Sequence, residues 1–587
     1  MSKNISQSRF TRSMFIKSVL FSPLAGLGLA LAEIGDCIIV GHKIGMKAIA
    51  AVGYISPLFL IISFLAFGIS TGGAIIYNDL LNKGKEDEAL DIFNTFVLIG
   101  LGISILIPLF CLSFRGTLPE LLGASRKDAE VYEMTERYMF FIALGAPFAI
   151  ISEILGAYMR NDKNVTFSVA LQTACGISNL LLSAALLFVF DFGIEGCSFG
   201  YFISNFAAVM INVIYIIRSK GKLRFRPHFA KPKNILKPLH LGFATSSEYI
   251  FGAVFTLVFI HVLSKLGGVE GVAVYNIIEN LSMVFVFVFE LIGKTAQPVF
   301  TAYHAEHNIG ELRRMLRYCA VYSLLIGTAF VAVIRIYPES LKLIFGMEGV
   351  QDISAVYHAA SVFGVGAILM GQSLLTQNFN QSEGNEKDVF FLVFIRKLGL
   401  GIPILLLLSL IGENAVWFVY PLTESLSLVV FTVFKHIMKS KKGNAEKSPK
   451  VYCTCFFMNN TDLFDELDSI GAFLSELGYE KAECLQTKLS LEETCRAMIE
   501  HKKKNGESLI QLTITAQTDG SVEVHLRNND MEYDPFNEVA DRLTVMPEII
   551  EEVDFRGLGL LVVRYHARNL LYRYYQGFNT LTYRINA

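Results

Sequence analysis

Long stretches of the chain are almost wholly apolar, and they recur at regular intervals. About 20 consecutive apolar residues suffice for a helix to cross a bilayer. By that measure twelve spans are predicted, at 14–40, 50–77, 90–113, 132–158, 165–190, 196–217, 238–264, 272–298, 318–336, 353–378, 389–411 and 415–438. A polar stretch at 218–237 separates the sixth from the seventh and divides the spans into six plus six. Beyond residue 450 the pattern changes in kind. Residues 451–457, 509–515 and 522–526 read as strands; 462–477, 484–504 and 557–567 read as helices, the first two amphipathic. The pair 570–575 and 580–585 reads as a closing hairpin. The expected fold class is an all-α polytopic membrane protein in two six-helix halves, followed by a soluble α/β two-layer sandwich domain. The expected boundaries are 1–217, a basic linker 218–237, 238–440, a basic linker 441–450, and 451–587.

Composition sharpens the division. Of 587 residues, 53% are hydrophobic and 18% charged, and mean hydropathy is +0.46. A soluble protein carries about a quarter charged residues, so a single globular enzyme is excluded. Residues 1–450 hold 38 Lys and Arg against 31 Asp and Glu, net +7; residues 451–587 hold 13 against 22, net −9. With the N-terminus placed inside, 25 of the 38 basic residues fall in tails and loops on that side, against nine outside. Lys3, Arg9, Arg12, eight residues in 218–237 and six lysines in 435–450 are among them. The bias places both termini, and the tail, in the cytoplasm of a cell-membrane protein. The nine cysteines show no CxxC spacing, which predicts buried, reduced thiols and no metal site. The first apolar run continues well past the length of a signal-peptide core, so no cleavable leader is expected.

A weak internal repeat links Ala51-Val52-Gly53 with Ala273-Val274-Tyr275, Thr71-Gly-Gly-Ala74 with Gly293-Lys-Thr-Ala296, and Glu88 with Glu311. Paired halves with a site between them are typical of secondary transporters.

A carboxylate in hydrocarbon is costly unless a proton, a cation or a partner compensates it, so each one is a functional candidate. Asp36 leads, in a first span that Pro23 is expected to kink. Glu33 lies one turn away, placed to share a proton or cation with Asp36. Asn179 in the fifth span offers an amide oxygen. Glu248, Glu279, Glu290 and Glu424 are the cavity candidates of the second half, with Lys294 spaced to neutralise Glu290.

The segments Asp36-Cys-Ile-Ile-Val-Gly41-His-Lys-Ile-Gly45, Ala50-Ala51-Val52-Gly53, Gly68-Ile-Ser-Thr-Gly72-Gly73-Ala74 and Gly193-Ile-Glu195-Gly196, with Arg396, resemble the MATE (multidrug and toxic compound extrusion) transporters over residues 10–440. The resemblance implies export of small organic molecules, cationic or amphipathic, across a lipid bilayer in exchange for Na⁺ or H⁺. It implies that Asp36 and Asn179 are cation-coupling residues. Ser183 stands where the family's Na⁺ pattern often has an Asp, which leaves the coupling ion open. Two rival readings are a flippase for lipid-linked oligosaccharides and a membrane receptor signalling through its tail. No nucleic-acid partner is expected.

The tail has its own resemblance. Leu491-Glu-Glu493-Thr-Cys-Arg-Ala497, Leu526-Arg-Asn528-Asn-Asp530 and Arg556-Gly557-Leu-Gly559 follow in the order of the nucleotide boxes of the histidine-kinase-like ATPase fold of anti-sigma-factor serine kinases. The resemblance assigns Glu493 to activating water or an acceptor, and Gly557 and Gly559 to cradling phosphate. Ala497 replaces the family's Mg²⁺-binding Asn, Asn528 its adenine-reading Asp, and Asp530 a Gly. A degenerate site is therefore expected, without enzymatic activity and without a cofactor beyond the coupling ion. ATP binding is doubtful on this reading. The tail is expected to act as a regulatory domain or to bind a cytoplasmic protein.

Overall fold

The computed structural model describes the chain except residues 1, 83–84, 162–164, 219–222, 348–352, 443–448, 503–507, 518, 538–557, 576 and 586–587. In the first half, the helices are α1 (Ser2–Ser18), α2 (Ser22–Lys43), α3 (Met46–Asn82), α4 (Glu86–Ser113), α5 (Ala129–Asn161), α6 (Val165–Phe188) and α7 (Glu195–Arg218). In the second they are α8 (Leu236–Leu266), α9 (Gly268–Ala305), α10 (Ile309–Ile336), α11 (Ser354–Ser382), α12 (Glu386–Phe394), α13 (Gly401–Ser409) and α14 (Val419–Lys442). Eleven helices among the described residues are long and apolar enough to cross a membrane: α3 to α11, α12 and α13 taken together, and α14 with the short turn before it.

The first expected span, 14–40, is corrected at its start. The chain breaks at 19–21, and Ser22 Oγ donates to the Val19 carbonyl at 2.8 Å. Pro23 does not kink a continuous helix; it sits in the first turn of α2, where its missing N–H costs nothing. The eleventh span is also interrupted: Ile395–Gly399 forms a π-helical turn between α12 and α13, a feature that re-aims side chains and recurs at functional sites.

Burial separates the central helices from the lipid-facing ones. In the most apolar windows of α9 and α11, 61% of residues are buried, against 11% in α6. The halves meet along α3 with α8 and along α2 with α9. The α3–α8 contact brings two backbones together. A Cβ on Gly242 would stand 1.9 Å from the Gly68 carbonyl oxygen, and one on Gly72 would stand 2.1 Å from that of Pro238. Gly53 of α3 rests on the Asn276 side chain of α9, where a Cβ would stand 3.0 Å away. Glu88 and Glu311 do not share a setting: the first is an exposed partner of Lys85, the second is buried and paired with Arg314. The described part of the 218–237 linker is tied to α4, where the Arg226 and Ala230 amides donate to the Asn94 and Thr95 side chains at 3.1 and 2.8 Å.

The tail folds as expected from its alternation. Strands β1 (Lys450–Phe457), β2 (Leu509–Ala516), β3 (Val522–Asn528), β4 (Ala567–Tyr575) and β5 (Phe578–Ile585) form one antiparallel sheet in the order β1-β2-β3-β5-β4. Helices α15 (Asn460–Glu476), α16 (Lys481–Glu500) and α17 (Leu558–His566) bury Leu467, Ile470, Leu491, Met498 and Val563 in a cluster with Ile510, Leu512, Ile514, Val524 and Leu526 of the sheet. Successive strand residues point to opposite faces. The other face, with Gln511, Thr513, Thr515, His525 and Arg527, is nonetheless buried. It lies against α1 and the α9–α10 turn. All nine cysteines are free thiols, seven of them buried.

Candidate functional site

Asp36 lies in the second half of α2 and faces α6, where Asn179 Nδ2 donates to its Oδ2 at 3.4 Å. Ser183, one turn further along α6, is fully buried and donates to the Cys197 carbonyl at 3.4 Å. Gly200 lets α7 approach there, since its Cβ would stand 3.0 Å from Ser183 Oγ. Three of the four expected coupling residues therefore share one corner of the first half. Glu33 lies on α2, and its side chain is outside the described residues.

Cys37, the next residue on α2, turns the other way. Its sulfur lies 4.0 Å from Asn276 Nδ2 of α9, and it stands within electrostatic range of both Asp36 and Glu279. Glu279 Oε2 has no geometric hydrogen-bond partner among the described residues. The Ser56 and Thr256 hydroxyls lie near that carboxyl, and Lys397 acts on it electrostatically at longer range. Glu279 thus sits at the seam between the halves.

The remaining second-half candidates divide. Glu424 of α14 is buried and paired with Arg396. Arg396 Nε donates to its two oxygens at 3.2 and 3.1 Å and Nη2 donates to Oε1 at 2.7 Å, while Ser373 Oγ of α11 donates to Oε2 at 2.6 Å. Glu248 of α8 accepts from Gln377 Nε2 of α11 at 2.9 Å. Both Arg396 and Lys397 come from the π-helical turn, and Lys397 Nζ lies 5.6 Å over the Phe255 ring. Glu290 does not join this group. Lys294 pairs with it at 2.6 Å on a partly exposed face, as the i, i+4 spacing anticipates.

Sequence reasoning named Glu248, Glu279 and Glu424 without their partners. Arg396 and Lys397 inside an apolar span were the available signal for the cationic half of the cluster. Nothing local pointed to Ser373 or Gln377.

A family model described as MatE matches residues 18–185 and 245–407. The chain belongs to the MatE family. Asp36, Asn179 and Ser183 lie in the first matched segment; Glu248, Glu279, Glu290 and Arg396 lie in the second. The probable multidrug resistance protein YoeA of Bacillus subtilis (strain 168) is 20% identical over 458 residues, which is 75% of this chain and 97% of that protein. The multidrug export protein MepA of Staphylococcus aureus (strain bovine RF122 / ET3-1) is 25% identical over 193 residues, 33% of this chain and 42% of its own length. Among solved structures, the inward-facing conformation of a multidrug resistance MATE family transporter of the MOP superfamily superposes with a TM-score of 0.65 at 19% identity. It covers 71% of this chain and 96% of that one. The MATE multidrug transporter DinF-BH gives 0.58 at 21% identity, covering 73% and 95%. This MatE protein is thus a multi-pass membrane protein of a multidrug transporter family.

In the tail, Glu493 of α16 packs directly on Gly559 of α17, where a Cβ would stand 2.2 Å from the carboxyl carbon. Asn528 and Asp530 are both buried and are engaged by the protein. Asn528 Oδ1 accepts from Asn579 Nδ2 at 2.7 Å and from the Asp530 amide at 3.1 Å, and Ser508 Oγ donates to Asp530 Oδ2 at 3.2 Å. Gly557 lies outside the described residues. Ala497 is buried on α16, and its methyl group offers no ligand to a metal.

Proposed function

We propose that this MatE protein is a secondary active exporter of small organic, cationic or amphipathic molecules, driven by inward movement of H⁺ or Na⁺ through alternating access. With α2 counted as the first of twelve spans, both termini lie on one side, and the excess of Lys and Arg in the loops and tails of that side supports the cytoplasm. The observation that carries the reading is Asp36, set in an apolar helix against Asn179 within a family-matched segment. An acidic group there takes up a proton or a cation when open to one side and gives it up when open to the other. The printed names of the relatives, multidrug resistance and multidrug export proteins, point to the same substrate class.

The second-half cluster supports a cationic cargo. Glu248, Glu279 and Glu424 outnumber Arg396 and Lys397, and Arg396 is already engaged by Glu424. A flippase for anionic lipid-linked sugars would need the opposite balance.

On this reading the tail is a cytoplasmic regulatory domain of the histidine-kinase-like ATPase type that has lost hydrolysis. Ala497 stands at the metal position, and Asn528 and Asp530 are spent on contacts within the protein.

Efflux of a fluorescent organic cation from proteoliposomes, under an imposed pH gradient and then an imposed Na⁺ gradient, tests the proposal. One gradient drives movement in the natural chain, and Asp36→Asn abolishes it while inserting normally. Movement that persists in Asp36→Asn refutes the coupling role. No movement under either gradient refutes the exporter.

A further inference from the structure

Helix α1 continues into α2 through only three residues, yet it is docked on the other half of the molecule. Thr11 Oγ1 donates to Glu311 Oε2 of α10 at 2.5 Å. The Phe15 ring packs on Tyr318 and Tyr322 at 5.8 and 5.4 Å, and Tyr322 Oη donates to the Leu20 carbonyl at 2.5 Å. The tail's sheet covers α1 from the other side. Phe10, fully buried, meets Phe578 at 5.5 Å, and Lys17 Nζ donates to the Gly577 carbonyl at 3.2 Å.

The same sheet face grips the α9–α10 turn. Arg527 makes a bidentate ion pair with Glu306, the two side chains 4% and 1% exposed, and its guanidinium lies 5.0 Å over the Tyr303 ring. Tyr303 Oη donates to Gln511 Oε1 at 3.1 Å, and Thr515 Oγ1 donates to the Glu306 carbonyl at 3.4 Å.

Apart from Cys455, Leu509 and Phe578, which join the apolar cluster that includes Phe10 and Met14, the chemistry of this face indicates a contact made to be released. Gln511, Thr513, Thr515, His525 and Arg527 are residues a strand normally turns to water. Permanent interfaces resemble an apolar core instead. A buried ion pair adds little net stability over its hydrated parts but penalises a wrong partner heavily. Such a face is soluble when free and specific when docked.

We propose that the polar face of the tail's sheet is a releasable docking surface whose partner is the α9–α10 turn together with α1, and that docking restrains the end of α2 next to Ser22. This rests on the reading of the tail as a regulatory domain. The covalent path from α1 to α2 leads to Asp36. When the first half rocks against the second, the Ser22 end of α2 must shift relative to α10. A docked α1 resists that shift, and an undocked one follows α2.

The test uses the full chain in lipid vesicles, with amide hydrogen exchange over residues 2–24 read beside fluorescent-cation efflux. Glu306→Arg and Arg527→Glu each place like charges in the interface. The pair combined restores attraction with reversed polarity. Each single variant is expected to speed exchange in α1 at least tenfold and efflux at least threefold, and the double variant to return both to within twofold of the natural chain. Unchanged exchange in α1 overturns the docking claim. Faster exchange with unchanged or slower efflux overturns the restraint. If Arg527→Glu also loses protection in α16, Glu306→Arg, which lies outside the tail, decides. Should the natural chain export nothing, the transporter reading fails on its own, and exchange at residues 22–24 still decides the restraint.

Discussion

Arg396→Met tests whether the second-half cluster is held by its ion pair. The substitution removes three hydrogen bonds to Glu424 and leaves that carboxylate with Ser373 as its neutral donor. The paired side chains are 5% and 11% exposed, so solvent screens the interaction little. An exposed pair would contribute about 0–1 kcal/mol, whereas stripping one partner from a buried pair costs about 3–5 kcal/mol. At roughly 2 °C per kcal/mol, the melting temperature should fall by about 6–10 °C. The chain's one tryptophan, Trp417, is buried beside Phe259 in the second half and reports the transition by its fluorescence. Glu424→Leu alone should do comparable harm, because it strands the guanidinium. The double variant Arg396→Met with Glu424→Leu should lie within about 1 kcal/mol of the natural chain, since no charge is left unpaired. A fall below about 2 °C in both single variants, or a double variant as unstable as the two losses added, would refute the argument.

Three further outcomes follow from the geometry. Gly242→Leu should lower the same melting temperature and the yield of folded protein, because a side chain there collides with the Gly68 backbone and overpacking costs about 1–3 kcal/mol or more; an unchanged melt would place the α3–α8 contact elsewhere. Glu290→Gln should change cation efflux less than about threefold, since Lys294 and Glu290 form a partly exposed pair worth about 0–1 kcal/mol; a complete loss of efflux would return Glu290 to the site. In the tail, hydrogen bonds from the Ser521 side chain and amide, then Arg584, hold the Asp519 carboxyl below its ordinary range. Its stabilising contribution is therefore full above the unfolded value of about 3.9 and is lost as pH falls through the lower folded value. Asp519→Asn should accordingly shrink the difference in tail stability between pH 6 and pH 3, read by urea titration of tyrosine fluorescence; an unchanged difference would argue against that role.

The apolar runs, the change of character near residue 450 and the strands of the tail were readable because hydropathy and alternation are local properties. A helix in lipid must satisfy its own backbone, so an apolar run of sufficient length commits to one structure whatever surrounds it. Asp36 and Asn179 were named from the sequence, and the fold brings them together across 143 positions. The break at 19–21 was missed because the apolar run continues through it, and only Ser22-Pro23 marked a helix start.

What the sequence determined alone was which stretches are helical and apolar, where the tail with its strands begins, and which charged residues sit where charge is costly. Tertiary structure decided the partners. Glu424 finds Arg396 because a π-helical turn points that side chain inward, and no periodicity forecasts such a turn. The polar face of the tail's sheet reads as solvent-facing in its alternation, yet α1 and the α9–α10 turn cover it. Periodicity states which face of an element is polar. Only the packing of distant segments determines whether that face meets water or, as with Arg527 and Glu306, a complementary charge.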